Sequence, residues 1–125
     1  MLQRVQGTDV SFKSTVSIVD ATRRFEKCLT KGELGALSAG LEKLKNNGVE
    51  DFVQITSVPT GHIKGIDIEL TVIGHNKEGK ERVVSYIISR MYHNLFDGHI
   101  ETAYKGAVSR LKLSKKAPLD KYRYA

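Results

Sequence analysis

The sequence predicts an α+β domain: an antiparallel four-stranded sheet in the order β-α-α-β-β-β-α, with the helices packed on one face. Three observations lead there. Ile66, Ile68, Leu70 and Val72 alternate with Asp67, Glu69 and Thr71, the period-two pattern of a half-buried strand. Leu34, Leu37, Leu41 and Leu44 recur at helical spacing, which puts them on one stripe. The chain has 125 residues, 40% of them apolar and 27% charged, which suits one domain that needs no disulfide or metal to hold its core.

Each element follows in order. Over residues 9–19, Val10, Phe12, Val16 and Ile18 alternate with Ser11, Lys13, Thr15 and Ser17, predicting the first strand. Asp20 then caps a short helix through Leu29, with Ala21, Phe25, Cys28 and Leu29 on one face. A second helix is predicted over 31–46. Thr30 and Glu33 have the spacing of a capping box, and Asn47-Gly48 supplies a helix stop. Gly35 and Gly40 lie inside that helix; each costs about 1 kcal/mol relative to Ala unless it permits close packing against the sheet.

Three strands follow. Residues 50–58 are rich in β-branched and aromatic side chains and end at Pro59-Thr60-Gly61. Residues 63–74 show the strict alternation, and Asn76-Lys77-Glu78-Gly79 turns the chain into 80–89. Val84, Ile87, Ile88, Met91 and Leu95 also fit a helical stripe. Strand is preferred there because the β-branched density and the preceding turn agree. A last helix is expected over 90–113, with Asp97-Gly98 as an interruption. The predicted covering set for the sheet is Phe25, Leu37, Leu41, Phe96, Ile100, Ala103 and Val108. Residues 1–113 are thus read as the domain and 114–125 as a basic, mobile tail, because Pro118 forbids a continuous helix.

The net charge of +6 is unevenly distributed. Residues 1–30 carry +2 and residues 31–109 carry −1. In 110–125, Arg110, Lys112, Lys115, Lys116, Lys121 and Arg123 face Asp120 alone, a net of +5. Cations of this density pair with phosphates, and the interleaved Tyr122 and Tyr124 can stack on unpaired bases. With Arg90, these eight residues are the expected contacts to DNA or RNA. The competing reading is a solubilising tail.

Other chemistry is disfavoured. His62, His75, His93 and His99 lack metal-ligand spacing, and no cysteine cluster accompanies them. His62 and His75 flank a strand about 40 Å long if straight, while His93 and His99 would fall on opposite flanks of a regular helix. Asp67 and Glu69 share one strand face about 7 Å apart, a separation acid/base carboxylates use, yet alternation alone explains it. Cys28 is read as a buried structural thiol that forms no internal disulfide, which fits a reducing, cytoplasmic setting. No phosphate-binding glycine loop and no Gly-x-Ser-x-Gly occur. Apolar runs are too short for a membrane helix, and Met1–Lys13 lacks the pattern of a signal peptide.

The order helix, strand, strand, strand, helix over 31–113 resembles a double-stranded-RNA-binding domain, and Pro59-Thr60-Gly61-His62 sits where that family carries a loop histidine. The family places a lysine cluster at the start of its last helix. Ser89-Arg90-Met91-Tyr92 stands there instead, and an extra strand and helix precede the match. The similarity is one of topology, and no family is assigned from it.

The expected function is therefore a non-catalytic nucleic-acid-binding accessory protein without a cofactor. The alternative is a protein-interaction module (an inhibitor, an adaptor or an oligomer subunit) that uses the near-neutral body. The weakest reading is an enzyme using His62, Asp67 and Glu69. A homodimer is also expected, because the strand 80–89 carries apolar side chains on both faces and one set needs a cover.

Overall fold

The computed structural model describes residues 16–20, 22–47, 51–113 and the backbone of 119–124. Its elements are β1 (Val16–Val19), α1 (Arg24–Cys28), α2 (Lys31–Asn46), β2 (Phe52–Pro59), β3 (Ile66–His75), β4 (Glu81–Ile88), α3 (His99–Leu113) and β5 (Leu119–Tyr124). The five strands form one sheet in the order β1-β2-β3-β4-β5. The β2–β3 and β3–β4 pairs are antiparallel, but β1 runs parallel to β2 and β5 parallel to β4.

The sheet is thus mixed and five-stranded rather than antiparallel and four-stranded. The reason is topological. Alternation reports which side of a strand is buried and says nothing of its direction. Direction follows from the connections, because a helical crossover that spans the domain returns the chain to the same end of the sheet. Two such crossovers exist, β1-α1-α2-β2 and β4-α3-β5. Both step the same way across strands that all run in one direction, so a common hand puts their helices on one face. Accordingly α2 packs on α3 and β1, and α3 packs on β3 and β4.

Between helices and sheet lies the core. Val16, Val53, Ile55, Ile68, Leu70, Val72, Val84 and Ile88 meet Leu37, Leu44, Ile100, Ala103, Ala107 and Leu111 there. The capping box forms as predicted, with Thr30 Oγ1 accepting from Glu33 N at 3.1 Å and Glu33 Oε1 from Thr30 N at 3.0 Å. Gly40 is where α2 meets α3: a Cβ there would lie 2.5 Å from Ile100 Cβ. The close approach foreseen at that glycine is therefore to a helix, not to the sheet.

The N-cap position of α1 is Arg23, at φ 57°, rather than Asp20, but the Asp20 carboxylate does serve the first turn, accepting from Arg24 N at 2.9 Å and Phe25 N at 3.1 Å. The hairpin at 76–79 also forms. Asn76 Oδ1 accepts from Glu78 N and Lys80 N, and Gly79 takes φ 81°. Residues 80–89 give a strand, as preferred. The stretch 90–98, expected as helix, is instead an irregular loop, and α3 begins only at His99. Phe96, placed in the core by the helical reading, is consequently 52% exposed.

Two further expectations need restating. Residues 119–124, read as the distal part of a tail, run as β5; residues 114–118 lie outside the described residues. Likewise only Val16–Val19 of the predicted strand 9–19 falls within them. Among the described residues, no helix is long and apolar enough to cross a membrane.

Candidate functional site

The functional candidates gather at one end of the sheet, where the β2–β3 loop (60–65) meets the β4–α3 loop (89–98). Both loops are held from below by a buried ion pair. Arg90 is 2% exposed and Glu33 is 1% exposed. The guanidinium grips the carboxylate with two bonds, Nε to Oε2 at 2.7 Å and Nη2 to Oε1 at 2.6 Å. Its other donors reach the carbonyl oxygens of Lys64 (3.3 Å), Ile66 (2.9 Å) and Cys28 (3.0 Å). All five N–H groups of the fork are thereby used.

Glu33 is equally occupied. Besides Arg90 and the Thr30 N–H, it accepts from Leu95 N at 2.8 Å. Burial alone would raise its pKa, but the Arg90 bond and the backbone donors of Thr30 and Leu95 outweigh burial and lower it to about 2. One carboxylate therefore ties the α2 N-terminus to the β4–α3 loop, and through Arg90 to the β2–β3 loop and the end of α1.

Above this hub sits a pocket of about 630 Å³ lined by Thr60, Gly61, His62, Asp67, Ser89, Met91 and Tyr92. Asp67 belongs to β3 and is 2% exposed. Its Oδ1 accepts from His62 Nε2 at 2.9 Å and from Arg90 N at 2.8 Å. His62 Nδ1 accepts from Lys64 N at 3.2 Å. A ring nitrogen that accepts carries no proton, so Nε2 is the protonated nitrogen and donates to Asp67. Both nitrogens of the ring are thus occupied.

The candidate triad does not assemble as a catalytic centre. His62 and Asp67 meet, but Glu69 stands opposite Ile87 farther along β3 and does not line the pocket. The Nδ1 lone pair of His62 is engaged by the Lys64 N–H. The ring orders the 60–65 loop over the strand end. Two of the lining residues are exposed, Tyr92 at 86% and Met91 at 48%, and Ile63 of the 60–65 loop is 99% exposed.

The other histidines also find new neighbours. His99 is fully buried and stacks on Phe96, with centroids 4.1 Å apart, while the His93 ring lies 5.9 Å from it. They meet because 90–98 is a loop rather than the helix that would have set them on opposite flanks. Burial and then the nearby His93 lower the His99 pKa to about 4. Among the described residues, no group of three or more His, Cys, Asp or Glu side chains could hold a metal ion. Cys28, expected to be fully buried, is half-buried, and its backbone carbonyl serves Arg90.

The predicted contact residues separate accordingly. Arg90 is buried and every donor it has is spent inside the protein, so it offers nothing to a phosphate. Its position after an apolar strand was the available signal for burial, and Glu33 was visible only as a capping residue. Arg110 and Lys112 are exposed in the last turn of α3. Lys121 and Arg123 stand in register with Ser85 and Ile87, and Tyr122 and Tyr124 with Tyr86 and Ile88. Lys115 and Lys116 lie outside the described residues. The chain matches no protein-family profile, no curated protein and no solved structure.

Proposed function

We propose that this protein is a non-catalytic nucleic-acid-binding accessory protein whose main phosphate contacts come from Arg110, Lys112, Lys115, Lys116, Lys121 and Arg123. The observation that carries this reading is the position of the charge. Residues 110–125 hold a net +5 out of a total of +6, and part of that segment pairs along β4 as an edge strand. Cations of this density can pair with a phosphate backbone, and each contact releases counterions. Edge lysines also deter strand-to-strand aggregation, so binding must be measured directly.

Fluorescence anisotropy with single-stranded and duplex oligonucleotides between about 50 and 200 mM salt is the test. Affinity should fall steeply with salt. The Lys121→Glu/Arg123→Glu variant should bind at least about tenfold more weakly. Absence of binding at the lowest salt refutes the reading.

A second reading rests on the outer face of the sheet, which α2 and α3 leave uncovered. Phe52 (46% exposed) pairs with Ile73, and Ile73 with Val83, giving an apolar row across three strands. Val83 and Ile87, the outward set of β4, are half-buried. A homodimer or other protein contact over this row would cover it. Sedimentation at micromolar concentration tests the homodimer, and a 13.9 kDa species rejects it.

A further inference from the structure

Four of the seven large apolar side chains exposed among the described residues stand in the two loops at one end of the sheet: Ile63 (99% exposed), Met91 (48%), Tyr92 (86%) and Phe96 (52%). We propose that this end of the molecule docks on an anionic lipid bilayer, with these side chains entering the interface and the neighbouring lysines meeting the headgroups. The proposal is independent of the nucleic-acid reading above.

The form of the apolar groups is the first support. With 99% of its surface in water, Ile63 packs on none of its neighbours, so it projects from the 60–65 loop instead of joining a flat patch. Acyl chains flow around each projecting group, whereas a folded partner would need a matching pocket for each. A single-stranded nucleic acid offers bases that stack on rings, but neither Ile63 nor Met91 has a ring. Tyr92 joins an apolar ring to a polar hydroxyl, the combination favoured where headgroups meet hydrocarbon. Phe96 rests on the His99 ring, 4.1 Å between centroids, and leaves the rest of its surface to water. Both loops are tied to the Arg90–Glu33 pair, through Lys64 O and Leu95 N. A surface ordered in advance loses little freedom on binding.

The charge around the loops fits the same partner. A Cβ at Gly65 would lie 3.3 Å from Cys28 Sγ, Arg90 bonds to Cys28 O, and Leu95 N bonds to Glu33. The end of α1 and the start of α2 therefore border the two loops. Lys27 and Lys31, in those two turns, are exposed, and Lys64 joins Asn94 across the loops at 3.0 Å. Against them, Glu26 is paired with Arg23 at 2.9 Å, and Asp97 is the one acidic residue within the loops. Cations beside projecting apolar groups supply the two attractions that hold a protein on an anionic interface.

The test uses the full chain, with vesicles of phosphatidylcholine alone or mixed equally with phosphatidylserine. In co-sedimentation the chain should bind the mixed vesicles at least about tenfold more tightly than phosphatidylcholine. Ile63→Ser/Tyr92→Ser should weaken that binding at least about tenfold, and Lys27→Gln/Lys31→Gln about fivefold per lysine removed. All four side chains are exposed, so both variants keep the fold, which thermal midpoints check. The sequence holds no tryptophan, so Tyr92→Trp gives a single fluorophore. Its emission should move to the blue on mixed vesicles and be quenched by brominated acyl chains. Vesicle binding lost in Lys121→Glu/Arg123→Glu but unchanged in both loop variants assigns the attraction to the C-terminal segment and overturns the docking of the loops. Absence of binding to mixed vesicles also overturns it, while oligonucleotide anisotropy judges the nucleic-acid reading separately. Oligonucleotide binding that Ile63→Ser/Tyr92→Ser weakens, without vesicle binding, gives the loops to nucleic acid and overturns the lipid assignment.

Discussion

Replacing Arg90 by Met removes a charge from the centre of the hub while keeping most of its volume. The substitution deletes both bonds to Glu33 and those to the carbonyls of Lys64, Ile66 and Cys28. It leaves a carboxylate 1% exposed to water, with only the N–H groups of Thr30 and Leu95 for company. Stranding one member of a buried pair costs about 3–5 kcal/mol, a large share of the roughly 5–15 kcal/mol that stabilises a domain. The pH profile supplies the diagnostic sign. In the native protein Glu33 sits at about 2 against an ordinary 4.5. Its contribution is therefore complete above about 4.5 and lost as pH falls towards 2. In Arg90→Met, burial acts without the guanidinium and raises the folded-state pKa, so that variant gains stability as pH falls. The gap between the two proteins should shrink from about 3–5 kcal/mol at neutral pH as acid is approached. Adding Glu33→Gln should recover about 2 kcal/mol or more, because it removes the stranded charge and keeps an acceptor for the backbone. Urea unfolding at pH 7 and pH 4 measures the native protein and both variants. A neutral-pH loss below about 1 kcal/mol, a gap independent of pH, or no recovery in the double variant would refute the hub as the anchor of both loops.

Other expectations are narrower. His99 binds its proton at about 4 in the fold against 6.5 ordinarily, so its contribution is full above about 6.5 and falls away towards 4; His99→Gln should flatten that limb of a thermal-midpoint profile. Gly35→Ala meets open space and should stabilise α2 by up to about 1 kcal/mol, whereas Gly40→Ala drives a methyl into Ile100 and should destabilise by about 1–3 kcal/mol, both read by chemical denaturation. Tyr104 donates to Asp51 Oδ2 at 2.9 Å, and burial followed by that carboxylate raises its pKa above the ordinary 10. Stability from this group is present below pH 10 and lost above it, so Tyr104→Phe should cost about 1.5–3 kcal/mol at neutral pH and remove the alkaline dependence of the unfolding midpoint.

Much of this protein is legible along the chain because the relevant forces are local. The Thr30–Glu33 box, the leucine stripe of α2, the alternation of β3 and the Asn76–Gly79 turn each depend on residues within one or two turns of one another. The accumulation of cations after residue 109 is plain in the same way. Strand direction is not local: β1 and β5 are parallel to their neighbours because crossover helices return the chain, and alternation is blind to that. Nor could periodicity place Arg90, Tyr92 and Phe96, which all fit a helix on paper. The Glu33 carboxylate, 57 positions away in sequence, captures the Arg90 side chain and the Leu95 N–H, and those bonds hold residues 90–98 as a loop. That long-range ion pair buries the arginine assigned to phosphate and exposes Phe96, assigned to helix packing, together with Tyr92. The pocket exists for the same reason, since its walls come from loops whose positions only the tertiary ion pair determines.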